Sequence, residues 1–198
     1  MNTNEAAAPD VKPEQEKNSG YSTEIFEWVE ALVFSLVVII LIFSFCFRII
    51  TVMGDSMLQT LKSEDKLIVS SINYEPEYGD IVVVNMPNWT DRPFIKRIIA
   101  TEGQKVDIDY NTGSMVVDGE YLYEPYINEE IREVSYEELD FPVRVPEGHV
   151  FVVGDNRNHS TDSRSGLIGC VDERYIMGKA VTRIYPIGNI GSIYDNME

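Results

Sequence analysis

Asp80-Ile81-Val82-Val83-Val84-Asn85-Met86-Pro87-Asn88-Trp89-Thr90-Asp91-Arg92-Pro93-Phe94-Ile95-Lys96-Arg97-Ile98-Ile99 sets two short apolar runs on either side of a stretch rich in Pro, Asn and Asp. Runs of this length, dominated by β-branched residues and bounded by turn formers, read as strands. The pattern repeats in both directions. Lys66-Leu67-Ile68-Val69, Lys105-Val106-Asp107-Ile108, Ser114-Met115-Val116-Val117, His149 to Val153 and Ala180 to Ile184 read the same way, with hairpin turns at Asn111-Thr112-Gly113 and Asp118-Gly119. The fold class expected of this part is mainly β and antiparallel. Tyr121 to Leu139 is more acidic and less regular, which suggests an excursion between core strands.

Upstream the pattern changes. From Ala31 to Phe47 every residue is uncharged and nearly all are apolar, and after Arg48 come Ile49, Ile50, Val52 and Met53. Such a span reaches the ~20 residues needed to cross a bilayer. Trp28 and Tyr21 sit where interfacial aromatics would, and Arg48 can snorkel. A cleavable signal peptide is the competing reading; the acidic preceding tail, the length of the run and the lack of a small-x-small site after it favour an uncleaved anchor. The domain reading is a disordered tail over 1–23, a transmembrane anchor over 24–50 and a β-rich domain over 51–198. Charge orients the anchor poorly: Lys12 and Lys17 face seven acids in residues 1–30, while Arg48, Lys62 and Lys66 lie beyond the span.

The 198 residues carry 33 acids against 16 Lys and Arg, a net charge of −17, which argues against nucleic acid as a partner because phosphate neutralisation needs a basic surface. The two cysteines, Cys46 in the apolar run and Cys170 far downstream, are not expected to pair. His149 and His159, without a cysteine or acidic ligand pattern, do not define a metal site. No metal and no cofactor is expected.

Against this background three polar features stand out. Ser56, in Gly54-Asp55-Ser56-Met57, lies just past the anchor; Lys96, in Phe94-Ile95-Lys96-Arg97, lies on an expected strand; and Gly154-Asp155-Asn156-Arg157-Asn158-His159-Ser160-Thr161-Asp162-Ser163-Arg164 interrupts a strand-rich region. A hydroxyl is a poor nucleophile at neutral pH, and a lysine serves as its base only where burial keeps the amine neutral. With Tyr78-Gly79-Asp80-Ile81-Val82, these segments resemble, in order and spacing, the bacterial type I signal peptidases, the membrane-anchored serine proteases that remove signal peptides from exported proteins. The short soluble domain is similar to the smaller enzymes of Gram-positive bacteria.

That resemblance implies a barrel-like antiparallel catalytic domain outside the cytoplasm, an N-terminus inside, a single-pass link to the lipid bilayer, and signal-peptide-bearing precursors as partners. It makes Ser56 the nucleophile and Lys96 the general base. It gives Ser160 the hydroxyl that orients the lysine, Asp162 a carboxylate near the active site, and Arg164 the partner of that acid. Gly54 stands where some relatives have a serine that completes the oxyanion hole, so the second donor stays unassigned. Met57 and Ile95 match positions lining shallow pockets for Ala-x-Ala, although both residues suit an ordinary core equally well. The chain departs from the family's Pro-Thr after the nucleophile, with Gln59-Thr60, and has Phe94 for the usual Tyr. Three other readings compete: Ser/His catalysis through His149 or His159, a self-cleaving repressor-type Ser/Lys protease, and an inactive anchored protein that binds precursors.

Overall fold

The structure, a computed structural model, describes residues 19–195 apart from 88 and 133–138. It divides into two units, residues 1–43 and 44–198. The first is described by helix α1, which spans Ser19–Cys46. Within it Glu24–Ser44 is long and apolar enough to cross a membrane, and its described apolar side chains, Trp28, Phe34 and Phe43 among them, are exposed all round. Apolar exposure on every side is what a lipid-facing helix has and a soluble one lacks. Residues 1–18 of the expected tail lie outside the described residues, while 19–23 belong to the helix.

The expected anchor boundary at residue 50 moves. The helix ends at Cys46 and the chain enters strand β1 at once, Phe47–Thr51, which pairs antiparallel with β2, Lys66–Ser70, from Phe47 opposite Ser70 to Thr51 opposite Lys66. Apolarity alone did not distinguish the last turns of a membrane helix from a strand.

The remaining strands are β3 (Ile81–Val84), β4 (Phe94–Ala100), β5 (Lys105–Asp109), β6 (Ser114–Val117), β7 (Glu120–Tyr121), β8 (Val143–Arg144), β9 (His149–Val153), β10 (Val171–Asp172) and β11 (Ile176–Tyr185). They form a seven-stranded sheet in the order β1-β2-β11-β3-β4-β9-β10, curled into a half-barrel, and a four-stranded sheet in the order β7-β6-β5-β8. Each of these pairings is antiparallel. Asp118 and Gly119, at φ 52° and 90°, join β6 to β7 with Val117 opposite Glu120, the two-residue turn with positive φ at both positions whose twist matches that of the strands.

The core falls into three clusters. Val52, Met57, Leu61, Leu67, Val69, Ile81, Val83 and Ile95 form one, beneath the turn that carries Ser56. Val82, Val84, Ile98, Val150 and Val152 form another. The third, with Ile99, Val106, Ile108, Met115, Phe151 and Val153, joins the two sheets. Burial on both faces accounts for the runs of β-branched residues in β3, β4 and β9, where strict alternation would have marked a sheet wetted on one side.

Candidate active site

Ser56 sits in a turn between β1 and β2. Gly54 opens it at φ 87°, a backbone conformation that a side chain would strain. The Leu58 N–H then bonds to the Asp55 carbonyl and the Leu61 N–H to the Met57 carbonyl, while Met57 and Leu61, both buried, anchor the turn in the core. Lys96 comes from β4, opposite Val82 of β3. These two expected residues come together, with Lys96 Nζ 2.7 Å from Ser56 Oγ.

Lys96 is only 4% exposed. Burial pulls its amine down from 10.5 to about 8; the Asp162 carboxylate opposes this, the Arg164 guanidinium adds to it, and Asp155 opposes it weakly. The Phe94 ring, two residues away on the same face of β4, lies 5.7 Å from Nζ.

The polar block follows β9. Asp162 accepts from Arg164 Nε at 2.8 Å, Arg164 Nη2 at 2.9 Å and the Gly154 N–H at 3.0 Å. Burial alone would raise its carboxyl, but Arg164, the Gly154 N–H and the nearby Ser160 hydroxyl hold it below its ordinary value. Arg164 also donates to the Arg157 carbonyl at 2.6 Å, tying the loop to itself. Ser160 departs from its expected role. Its Oγ is buried, finds no hydrogen-bond partner of good geometry and makes no bond to Lys96. It stands instead against Gly154, because the loop passes close to the Ser56 turn at that point.

Gly154 is sterically required. A Cβ there would overlap the Ser160 hydroxyl and lie 2.5 Å from the Ser56 carbonyl oxygen. Gly154→Ala is expected to cost about 1–3 kcal/mol, as overpacking does, and to displace Ser56. Thermal melts, together with any assay of Ser56 reactivity, check both effects.

Further residues complete the site. Asp155, fully buried, accepts from Arg97 Nε at 2.8 Å, Arg97 Nη2 at 2.7 Å and Thr60 Oγ1 at 2.5 Å. It thus joins the residue after Lys96 to the segment after Ser56. Arg97 also stacks on Tyr126, 3.9 Å from the ring centre. The described part of the 121–139 excursion straps this hub: Glu124 pairs with Arg157 at 2.8 Å, the Asn128 N–H reaches the Asp155 carbonyl at 3.2 Å, and Gln59 donates to Asn128 Oδ1 at 2.9 Å. Gln59, in place of proline, gains a side-chain tether. Asn156 holds the Ser56 turn directly, its N–H on the Ser56 carbonyl and its Nδ2 on the Asp55 carbonyl, each at 3.0 Å. The density of polar residues from 154 to 164 hinted at these contacts in the sequence.

Met57 and Ile95 are buried in the core and also line, with Ser56, Gly54, Pro93 and Phe94, a cleft of about 60 Å³. The two readings left open for them are therefore compatible. His149 lies opposite Asp172, its Nδ1 2.8 Å from the Glu147 carbonyl, and His159 is exposed, whereas the Ser56 hydroxyl is hydrogen-bonded to Lys96.

Residues 25–185 match the family described as signal peptidase, peptidase S26. The chain is similar to signal peptidase I of Bacillus licheniformis, 34% identical with 89% of this chain and 97% of that protein covered. Probable signal peptidase I-1 of Synechocystis sp. is 36% identical over 85% of this chain and 87% of its own. A solved signal peptidase I from Enterococcus faecalis, 30% identical, aligns with a TM-score of 0.43 over 55% of this chain and 98% of its own.

Proposed function

Because the chain belongs to the signal peptidase I family of serine endopeptidases, which cleave signal peptides from precursor proteins, we propose that it does so with Ser56 as nucleophile and Lys96 as general base. The observation that carries this reading is the 2.7 Å approach of a buried, neutral-prone amine to a serine hydroxyl.

The Ser56 hydroxyl donates its hydrogen bond to the neutral Lys96 amine. As Oγ attacks the scissile carbonyl carbon, its proton passes to Nζ and the carbonyl becomes an oxyanion, for which the Ser56 backbone N–H is a donor. Collapse breaks the C–N bond, and the ammonium returns the proton to the leaving amine. Water, deprotonated by the same amine, then releases the acyl group. Asp162 and Arg164 compensate each other in charge, so the lysine meets a near-neutral wall rather than a bare carboxylate that would keep it protonated.

The small cleft beside Ser56, walled by Met57, Ile95 and Phe94, supports cleavage after small-x-small sequences such as Ala-x-Ala, by steric exclusion of bulky side chains. The apolar helix supports a single-pass anchor in the cell membrane. With precursor cleavage sites emerging outside, we place the tail inside and the β-rich domain outside.

Wild-type protein in lipid or detergent is expected to cleave an Ala-x-Ala precursor. Its kcat/KM should fall about tenfold per pH unit below about 8 and level off above it, because only the neutral amine accepts the proton. Ser56→Ala, folded, should be inert. A wild type inert towards varied precursors would favour the binding-protein reading, and a folded Ser56→Ala that still cleaves would remove the nucleophile assignment.

A further inference from the structure

The segment after β9 grips the nucleophile turn by two consecutive carbonyls, those of Asp55 and Ser56, through one residue, Asn156. The side-chain bond bears on the chemistry because the Asp55 carbonyl and the Ser56 N–H belong to one planar trans peptide, in which C=O and N–H point opposite ways. Holding the carbonyl therefore sets the direction of the N–H. Asn156 is 4% exposed while Asp55 lies at the surface, so the bond is half-buried, and a donor on the oxygen of a peptide strengthens the N–H at its other end. The orientation of the amide follows from the same contact. Turned over, Oδ1 would face the Asp55 carbonyl oxygen; as it stands, Oδ1 is buried without a partner. A buried amide that leaves its own acceptor unpaired in order to donate to that carbonyl is an uncommon arrangement.

We infer that Asn156 is a positioning residue for the oxyanion hole, orienting and polarising the Ser56 N–H towards the tetrahedral intermediate through the Asp55 carbonyl. The inference rests on Ser56 being the nucleophile. Asn156 touches neither substrate nor reacting atoms, and its effect belongs to the transition state, where the oxyanion develops.

Asn156→Leu keeps the approximate shape and charge and removes the donor; Asn156→Ala is its companion. With an Ala-x-Ala peptide, kcat is expected to fall about 30–300-fold, most of the ~10²–10³ that follows loss of an oxyanion donor. KM should stay within about threefold and the midpoint of the acid limb should not move, because uniform binding and Lys96 are untouched. A peptide aldehyde tests the hole directly. Ser56 Oγ bonds to the aldehyde carbon, the C=O opens to an oxyanion in the hole, and the hydroxyl proton passes to Lys96 Nζ. Its inhibition should weaken by the same factor as kcat/KM, while the cleaved product peptide binds as to wild type.

Folded variants that keep kcat within about threefold, or whose loss lies in KM or in a shifted acid limb, would overturn the inference. If neither variant folds, hydrogen exchange of the Asn156 side-chain amide in the wild type decides it: slow exchange supports the buried contact and free exchange refutes it. Ser56→Ala in the same assay separates the two claims, since cleavage surviving there removes the nucleophile, whereas an active wild type with an unimpaired Asn156→Leu removes only this role.

Discussion

Lys96→Met is expected to abolish precursor cleavage and, at pH 7, to leave a more stable protein. Loss of the proposed base should cost at least ~10³-fold in kcat, and methionine fills nearly the same volume without a charge. The stability gain follows from the amine's position, about 8 folded against 10.5 ordinarily. Between these two pH values the unfolded chain holds a proton that the folded chain lacks, so wild-type stability rises with pH across that window. Below about 8 both states are protonated, and the fold carries the whole cost of burying the charge, about 3 kcal/mol. Denaturant titrations at pH 6.5 and pH 10.5 check it. The variant should be ahead by up to about 3 kcal/mol at the lower pH, and the gap should close at the higher. A variant less stable than wild type at pH 6.5 would mean that the Ser56 contact and the Asp162 field outweigh desolvation.

Asp155→Ala is expected to unfold the domain or nearly so. Arg97 is fully buried, keeps its charge at any accessible pH, and has both Nε and Nη2 on this one carboxylate. Removing one partner of a buried pair costs about 3–5 kcal/mol because the other charge is stranded. For a domain of this size that corresponds to a fall in Tm of roughly 6–20 °C. The double variant Arg97→Met with Asp155→Leu removes both charges and should recover much of the loss, which scanning calorimetry of the single and double variants measures. Equal losses in both would place the cost in packing or in the Thr60 bond instead of the stranded guanidinium.

Residue type and local pattern made the long strands legible, because β-branched runs between turn formers have few other outcomes. They did not reveal β8 or β10, which are two-residue pairings too short to alternate, nor β1, whose Ile49-Ile50 reads as a continuation of the helix. At the site, the pairing of Ser56 with Lys96 was legible because few residue types suit the chemistry proposed for them. The contacts of Asn156 and Thr60 were not, since Asn and Thr each suit a turn or a cap as well as a buried junction, and only tertiary burial tells these apart. Arg97 shows the same limit. Next to Lys96 on a strand, it would ordinarily point to the opposite face and to water, yet it is fully enclosed. Ser160 was read by position in a motif, and its hydroxyl makes no hydrogen bond to Lys96.

The contacts that build this site span long stretches of chain: 40 residues between Ser56 and Lys96, 95 between Thr60 and Asp155, and 101 between Asp55 and Asn156. Closures of that length form slowly, since the chain gives up its loop entropy before any contact repays it. As the protein is synthesised, Ser56 emerges about a hundred residues ahead of the segment that holds it in place. A nascent or half-folded chain therefore carries the serine and the lysine without the frame that aims them, and hydrolytic competence arrives with completion of the fold.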